Sequence, residues 1–261
     1  MQDRKGSTGN LMSLSVQGAV ATLCLQRPPM NQVNDEFLRE IEAVLISIEQ
    51  MPQVVVLRIV SNQRAFCAGA DLEMVNTRVG TPEGARAMAE TARLFHRVYD
   101  RLASLPAVTI AEINGHALGG GLELALACDL RVAASDVKLG LPEAKVGLLP
   151  GAGGTQRLTR LCGPGIAARL ILGGEVVDGP EAARIGLVHW AVERVDLVQK
   201  VDSIIERVVS LSPDALRECK SCISQAMLIN PVGVETEVNG IEKLMMTEEA
   251  RKRVHRFVNK A

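Results

Sequence analysis

Two acidic side chains lie next to glycine-rich turns in this 261-residue chain. Glu123 lies two residues after the run 114–121, in which glycines join an apolar strand to an apolar helix. Glu143 lies shortly before the glycines of 151–154. Glycine at a strand-to-helix turn allows positive φ and lets a ligand approach the unpaired amides of the helix N-terminus. Such a turn is suited to an anion or an oxyanion, and a carboxylate beside it is suited to proton transfer.

Glu123 and Glu143 together predict acid–base chemistry next to a carbonyl group. Amide donors would stabilise an enolate oxygen while two carboxylates move protons, which suffices to add or remove water beside a carbonyl. Blander interpretations stay open, because Glu123 can simply complement the helix dipole and Glu143 can be a surface loop acid. Phosphate binding is the weaker interpretation, because the glycines of 114–121 are not followed by Lys-Ser or Lys-Thr and lack the G-x-G-x-x-G spacing.

Strands alternating with helices must position these residues. Apolar runs of strand length occur at 19–25, 53–60, 107–113, 129–133, 137–141 and 187–192. Helical spacing of apolar residues predicts helices over 35–50, with Asn34 as the N-cap, and over 83–105, where Pro106 stops the helix. This order predicts an α/β fold with buried, mostly parallel strands.

The last part of the chain has a different character, because only helical patterns follow residue 195. They cover 196–211, 214–228, 232–246 and 248–259. We therefore expect a disordered tail at 1–12, an α/β core at 13–197 and a helical oligomerisation region at 198–261. The pattern leaves open whether the terminal helices pack on a neighbouring subunit or fold back on their own core.

Composition excludes several classes of partner. The 29 Lys and Arg against 30 Asp and Glu give a formal charge of −1, so no nucleic-acid partner is expected. The apolar runs are too short to span a bilayer, which needs about 20 consecutive apolar residues, so no membrane partner is expected either. Six cysteines are too few for a disulfide scaffold and favour a reducing, cytoplasmic location. Cys219 and Cys222 lack the second pair that a zinc site would need.

Four segments in register resemble the enoyl-CoA hydratase/isomerase (crotonase) superfamily. They are Arg27-Pro28-Pro29 with Asn31 and Asn34, Phe66-Cys67-Ala68-Gly69-Ala70-Asp71-Leu72, the block 114–129, and 141–158 with its Pro150-Gly151-Ala152-Gly153-Gly154 run. The resemblance implies a crotonase-like spiral of repeated strand and helix turns. It also implies C-terminal helices that form homotrimers, often paired into hexamers.

The resemblance implies an acyl-CoA thioester as substrate. By motif position, the backbone N–H groups of Ala70 and Gly120 would hold the thioester oxygen, and the carbonyl of Ala68 would meet the adenine of CoA. Glu123 and Glu143 occupy the positions of the two glutamates of the family's hydratases, which implies hydration of a trans-2-enoyl-CoA to a 3-hydroxyacyl-CoA in lipid metabolism. No metal and no separate cofactor is implied, since coenzyme A is part of the substrate.

Further CoA contacts are carried over by motif position. They are Arg27, Asp71, Leu72, Phe257 and Lys260. Two departures bear on this assignment, because Glu73 replaces a lysine found in many relatives and the usual C-terminal ending is missing. A third is Glu112, which lies in a strand where relatives mostly have a small apolar residue and must be solvated or paired.

Two alternatives to a hydratase remain at this stage. One is a Δ3,Δ2-enoyl-CoA isomerase or another reaction of the superfamily that uses only one of the two carboxylates. The other is a catalytically weak CoA-ligand binder or scaffold. The presence of both glutamates and of both glycine-rich oxyanion segments favours the hydratase. Val75, Met74 and Met88 are candidates for lining the acyl pocket, whose chain length the sequence leaves open.

Overall fold

The computed structural model describes residues 11–226 and 232–259. The strands in this part of the chain are β1 Met12–Gln17, β2 Val20–Leu25, β3 Val56–Ser61, β4 Ala65–Cys67, β5 Val108–Ile113, β6 His116–Leu118, β7 Leu130–Ala134, β8 Lys138–Gly140, β9 Val176–Asp178 and β10 Trp190–Val192. The α-helices are α1 Asp35–Glu49, α2 Leu72–Arg78, α3 Pro82–Ser104, α4 Gly120–Leu126, α5 Gly154–Ile171, α6 Gly179–Arg184, α7 Leu197–Val209, α8 Pro213–Ala226, α9 Val232–Met245 and α10 Glu248–Val258.

The strands form two sheets, and the chain passes repeatedly from one to the other. The larger sheet has the order β1-β2-β3-β5-β7-β10 and the smaller one β4-β6-β8-β9. β3, β5 and β7 lie in the first sheet, whereas β4, β6 and β8, which follow them along the chain, lie in the second. This alternation produces the expected α/β spiral. The neighbours from β2 to β10 in the larger sheet are parallel, as predicted.

The first strand corrects the predicted tail. Residues 1–10 lie outside the described residues, but Met12 begins β1 and is fully buried. Met12 and Leu14 face the core while the serines between them and after them are more exposed, which is the period of two of a half-buried strand. β1 pairs antiparallel with β2. Met12 therefore belongs to the folded core and not to the predicted tail.

Helices α1 and α3 form where the apolar spacing predicted them. The side chain of Asn34 caps α1 by accepting a hydrogen bond from the amide of Phe37 at 2.9 Å. Helix α3 ends at Ser104, two residues before Pro106, which cannot continue a helix. The two helices pack against each other and bury one face of each.

The C-terminal helices fold back on their own subunit. Val201 and Ile204 of α7 belong to the main hydrophobic core, so α7 is continuous with the region that ends at the predicted boundary of 197. Helix α9 packs on α3, and α10 packs on α2. Ile241 and Val254 of these helices are buried in a second, smaller apolar cluster. The end of the predicted helix 214–228 lies outside the described residues.

Three helices were not predicted. Helices α2 and α6 are short, and α5 carries Gly163 in a non-helical conformation (φ 81°, ψ 162°) followed by Pro164, a combination that is typical of a loop in sequence. Within the described ranges, no helix combines the length and apolar character that a bilayer crossing would require.

Glu112 illustrates how the sheet accommodates an unexpected charge. Its side chain is only 2% exposed and pairs with Arg58 on the neighbouring strand β3, with Nε and Nη2 of the arginine at 2.7 and 2.5 Å from Oε2. Burial nevertheless raises the pKa of the Glu112 carboxyl. The sequence left open whether Glu112 is solvated or paired, and the structure confirms that it is paired.

Candidate active site

A cavity of about 340 Å³ lies between the two glycine-rich turns and the C-terminal helices. Most residues predicted for the site line it, namely Ala68, Ala70, Leu72, Gly120, Glu123, Glu143 and Phe257. Two of the three acyl-pocket candidates, Val75 and Met88, line it as well. The sequence segments that carry the resemblance therefore converge on one cavity.

Two amide groups of a single turn bind the side chain of Glu123. It lies in the first turn of α4 and is only 2% exposed. Its Oε1 accepts a hydrogen bond from the amide of Ala152 at 2.8 Å and one from the amide of Gly154 at 2.7 Å. Both donors belong to the glycine-rich turn that begins α5. These two bonds fix the position of the carboxylate in the cavity wall.

Glu143 reaches the cavity from a different element. It is the first residue of a 3₁₀ turn, Glu143–Val146, which follows Pro142. Its side chain approaches the start of α4, since a Cβ added to Gly119 would lie 3.0 Å from Glu143 Oε1. Gly119 is the N-cap of the helix that carries Glu123. One carboxylate therefore lies in the first turn of this helix, and the other approaches the N-terminus of the helix from a separate turn.

The amides of Ala70 and Gly120 come from two loops that touch through their backbones. Gly69 has a φ of 93°, and a Cβ there would lie 2.8 Å from the carbonyl oxygen of Leu118 and 3.3 Å from the amide nitrogen of Gly120. Only glycine permits this approach. Within 11–226 and 232–259, neither amide hydrogen of the pair donates to a protein acceptor. Two unsatisfied N–H groups at the cavity wall are the requirement for an oxyanion site.

Tyr99 supports the turn at Gly120 and was not identified from the sequence. Its hydroxyl donates to the carbonyl oxygen of Gly120 at 3.0 Å. Phe95, one turn earlier on α3, stacks edge-on against the Tyr99 ring at a centroid distance of 5.5 Å. Burial raises the pKa of Tyr99 well above its ordinary value, so the hydroxyl stays protonated and remains a donor. No local pattern marks this tyrosine, since its partner lies 21 residues away in sequence.

Arg27 and Asp71 form an ion pair with each other, and their predicted contact with CoA stays a prediction. Neither is among the residues that line the cavity. Instead, the guanidinium of Arg27 pairs with the carboxylate of Asp71 at 2.7 Å and also donates to the carbonyl oxygen of Gln32. Asp71 caps α2 by accepting from the amide of Glu73 at 3.1 Å. The pair ties the chain before α1 to the turn that carries Ala70.

The remaining predicted contacts lie at the edge of the cavity or beyond the described residues. Phe257 of α10 lines the wall and is 53% exposed. Lys260 lies outside the described residues. Glu73 is exposed and is not among the cavity-lining residues. Lys145 and His116 do line the wall, and Lys145 is a cation that the sequence analysis did not single out.

Comparison with known proteins agrees with this arrangement. The sequence model of the family described as enoyl-CoA hydratase/isomerase matches residues 15–261. The chain is 34% identical to a short-chain-enoyl-CoA hydratase of Clostridium acetobutylicum, over 96% of this chain and 95% of that protein. It is 35% identical to a crotonyl-CoA hydratase of Syntrophomonas wolfei, over 95% of this chain and 97% of that protein.

Solved structures show the same fold. An enoyl-CoA hydratase from Bacillus anthracis superposes with a TM-score of 0.78 at 32% identity, covering 96% of each chain. The Pseudomonas aeruginosa protein DspI superposes with a TM-score of 0.80 at 33% identity, covering 98% of each chain. The similarity thus extends over both sheets and the C-terminal helices.

Proposed function

The chain belongs to the enoyl-CoA hydratase/isomerase family, and on that premise we propose that it is an enoyl-CoA hydratase. The reaction is the reversible addition of water to a trans-2-enoyl-CoA, which gives a 3-hydroxyacyl-CoA. One observation carries the assignment to hydration: Glu123 and Glu143 line the same cavity as the amides of Ala70 and Gly120. An isomerisation needs only one acid–base group, whereas this cavity holds two carboxylates.

The oxyanion site activates the substrate. In the proposed complex the thioester oxygen accepts hydrogen bonds from the amides of Ala70 and Gly120. These donors draw electrons toward the oxygen and make C3 of the enoyl group electrophilic. Because the donors are backbone groups fixed by the Gly69 contact, little reorganisation is needed when charge develops on the oxygen. The binding therefore favours the enolate more than the ground state.

The two glutamates move the protons. We assign the base to Glu123, because two amide donors hold its carboxylate in a fixed position at the cavity wall. Glu123 takes a proton from water as the water oxygen bonds to C3, and the electron pair of the C2–C3 double bond moves toward the thioester. Glu143, as the acid, gives a proton to C2 of the enolate. The reverse sequence of steps removes water from the 3-hydroxyacyl-CoA.

The substrate is proposed to be a short-chain acyl-CoA. Two relatives are named for short-chain and crotonyl substrates, and the cavity of about 340 Å³ is lined by the apolar side chains of Val75 and Met88. Ala68, Leu72 and Phe257 are proposed to contact CoA from the wall, with Lys260 beyond it. Lys145 supplies a cation at the wall, where it can meet a phosphate in place of the lysine that Glu73 replaces.

Assembly and location are proposed on separate grounds. Several apolar side chains are exposed on the described subunit, among them Leu172 at 82%, Val195 at 87% and Ile223 at 68%. The homotrimer or hexamer is proposed from the resemblance to the family, and these exposed side chains are candidates for the contact between subunits. The six cysteines are free thiols, which supports the cytoplasm, and the family supports a place in fatty-acid β-oxidation.

The assignment is tested by mixing the purified protein with crotonyl-CoA and following the absorbance of the conjugated thioester. A hydratase removes that absorbance and forms 3-hydroxybutyryl-CoA. Turnover of a 3-enoyl-CoA with no loss of conjugation from 2-enoyl-CoAs of any length would identify an isomerase instead. If neither substrate is converted while CoA thioesters still bind, the protein is a binder without this activity.

A further inference from the structure

A second cavity, of about 660 Å³, lies behind the turn that binds Glu123. Gly151 and Ala152 line the catalytic cavity, whereas Gly153 lines the second one. The turn is therefore a thin wall between the two. The face of the turn toward the catalytic cavity binds the carboxylate of Glu123. The opposite face contacts side chains that line the second cavity.

Arg157 contacts this turn from the side of the second cavity. Its Nη1 donates to the carbonyl oxygen of Ala152 at 3.0 Å, and its guanidinium also pairs with Asp100 of α3. The side chain is 16% exposed, whereas that of Asp100 is 60% exposed. The arginine thus joins three elements: its own helix α5, the turn at its start, and α3.

The direction of the peptide group makes this contact relevant to Glu123. In a planar trans peptide the C=O and N–H groups point in opposite directions. Because the carbonyl of Ala152 points to Arg157, the N–H of the same peptide, which belongs to Gly153, points away from Arg157. Gly153 lies between Ala152 and Gly154, the two residues whose amides bind Glu123. A guanidinium bonded to the carbonyl oxygen polarises the peptide and makes its N–H end more positive. The cation behind the wall therefore favours negative charge in front of it.

His96 packs against the same turn from α3. It is 4% exposed and lines the second cavity. Its Cε1 would lie 3.7 Å from a Cβ at Gly153, and Nη1 of Arg157 would lie 2.1 Å from that Cβ. The imidazole and the guanidinium thus lie directly behind Gly153 and restrict its movement away from Glu123.

We propose that Arg157, held by Asp100 and packed beside His96, is a positioning residue for the catalytic carboxylate of Glu123. It acts by fixing the turn 152–154 and by orienting its amides. The inference rests on the proposed hydratase function for its kinetic consequence, but its structural consequence can be measured without any substrate.

The kinetic test compares Arg157→Met with Arg157→Lys and with Arg160→Met. Arg160 is the matched control, because it lies on the same helix and lines the same cavity but is exposed. We expect Arg157→Met to lower kcat for crotonyl-CoA by about 10- to 100-fold, with KM changed by no more than about twofold, since misplacement affects the chemical step. Arg157→Lys should recover part of kcat. Equal kcat values for Arg157→Met and Arg160→Met would overturn the proposal.

Hydrogen exchange separates this proposal from the proposed function. In mass spectrometry without ligand, the peptide that covers 150–156 should exchange faster in Arg157→Met than in the wild type and in Arg160→Met. Unchanged exchange would contradict the proposal even if the enzyme hydrates crotonyl-CoA. If the wild type hydrates no enoyl-CoA, the proposed function fails and the exchange result still decides the role of Arg157.

Asp100→Asn provides a second route if Arg157→Met does not fold. Its side chain is largely exposed, so the substitution should leave the fold intact while it weakens the hold on Arg157. The same faster exchange over 150–156, in a smaller degree, is expected together with a lower kcat. An Asp100→Asn protein that matches the wild type in both measurements would remove Asp100 from the proposal.

Discussion

The carboxylate of Glu143 lies against Gly119, close enough that a Cβ on residue 119 would stand 3.0 Å from its Oε1. Gly119 has φ 52° and ψ −130°, a conformation that residues with a side chain rarely adopt. The same residue is the N-cap of the helix that presents Glu123. One glycine therefore connects the positions of both catalytic carboxylates.

Gly119→Ala is expected to reduce kcat strongly. The new methyl group would press on Glu143, and the backbone would shift toward a conformation that alanine tolerates, which moves the amide of Gly120. We expect kcat for crotonyl-CoA to fall by about 100-fold or more, because the account places both the acid and the oxyanion donor in this region. Steady-state kinetics and the melting temperature of the variant are the measurements.

Gly163→Ala is the control for backbone strain alone. Gly163 also has positive φ, at 81°, but nothing lies within 4 Å of its Cβ position. The Gly163→Ala variant should be less stable than the wild type, with little change in kcat. Similar kcat losses in both glycine variants would show that the contact between residues 119 and 143 has no special role.

Arg27→Met should affect the chemical step more than CoA binding. The guanidinium is already paired with Asp71, directly after Ala70, so its loss should loosen the oxyanion turn. We expect kcat to fall by about tenfold for both crotonyl-CoA and the crotonyl thioester of N-acetylcysteamine, which lacks the CoA phosphates. Arg97→Met, which breaks an exposed pair with Glu42, is the control. A fall in kcat with crotonyl-CoA but not with the N-acetylcysteamine thioester would support a direct contact between Arg27 and CoA.

The arginine at position 27 shows what a motif can and cannot predict. Glu123, Glu143, Ala70 and Gly120 were predicted as site residues from their positions in the motifs of the family. All four line one cavity in the structure, because each motif keeps a fixed relation to its own strand or helix. The partner of a long side chain is different. Asp71 lies 44 residues from Arg27, and no local pattern indicates that the two side chains meet.

Met88→Ala is expected to lengthen the acyl chain that the enzyme accepts. Met88 is 5% exposed and lines the catalytic cavity, so its truncation opens space beside the acyl group. The ratio of kcat/KM for trans-2-octenoyl-CoA to that for crotonyl-CoA should rise, at a cost of about 2–5 kcal/mol in the free energy of unfolding. Met245→Ala, which truncates a fully buried methionine that is not on the cavity wall, should cost similar stability and leave the ratio unchanged.

His189 should make the protein less stable in mild acid. Its partial burial and the nearby charge of Arg131 lower the pKa of the imidazole to about 4. The unfolded chain takes up this proton below about pH 6.5, whereas the folded protein resists it until about pH 4. Stability that is present at neutral pH is therefore lost as the pH falls from 6.5 toward 4.

The measurement is the melting temperature of the wild type and of His189→Gln between pH 7.5 and about 4.5. The fall in melting temperature should be smaller in His189→Gln, because glutamine takes up no proton. His255→Gln, which changes an exposed histidine of α10, should follow the wild type. Parallel curves for His189→Gln and the wild type would contradict the linkage.

The elements differ in how far local sequence determined them. Helices α1 and α3 have clear caps and apolar stripes, and both formed as predicted. Helix α5 was missed, because Gly163 and Pro164 interrupt its helical pattern. The contact between Arg157 and Ala152 that braces the site begins on this helix. What the sequence did not reveal was therefore the support behind the site rather than the carboxylates themselves.

The most direct test of the account is the hydration rate of crotonyl-CoA by Glu123→Gln and Glu143→Gln. Glutamine is nearly isosteric, and at position 123 its carbonyl oxygen can still accept from the amides of Ala152 and Gly154, so both variants should keep the wild-type melting temperature. Each should lower kcat by about 100-fold or more, because each removes one proton-transfer group. A folded variant of either kind that hydrates crotonyl-CoA at the wild-type rate would contradict a mechanism in which two carboxylates share the reaction.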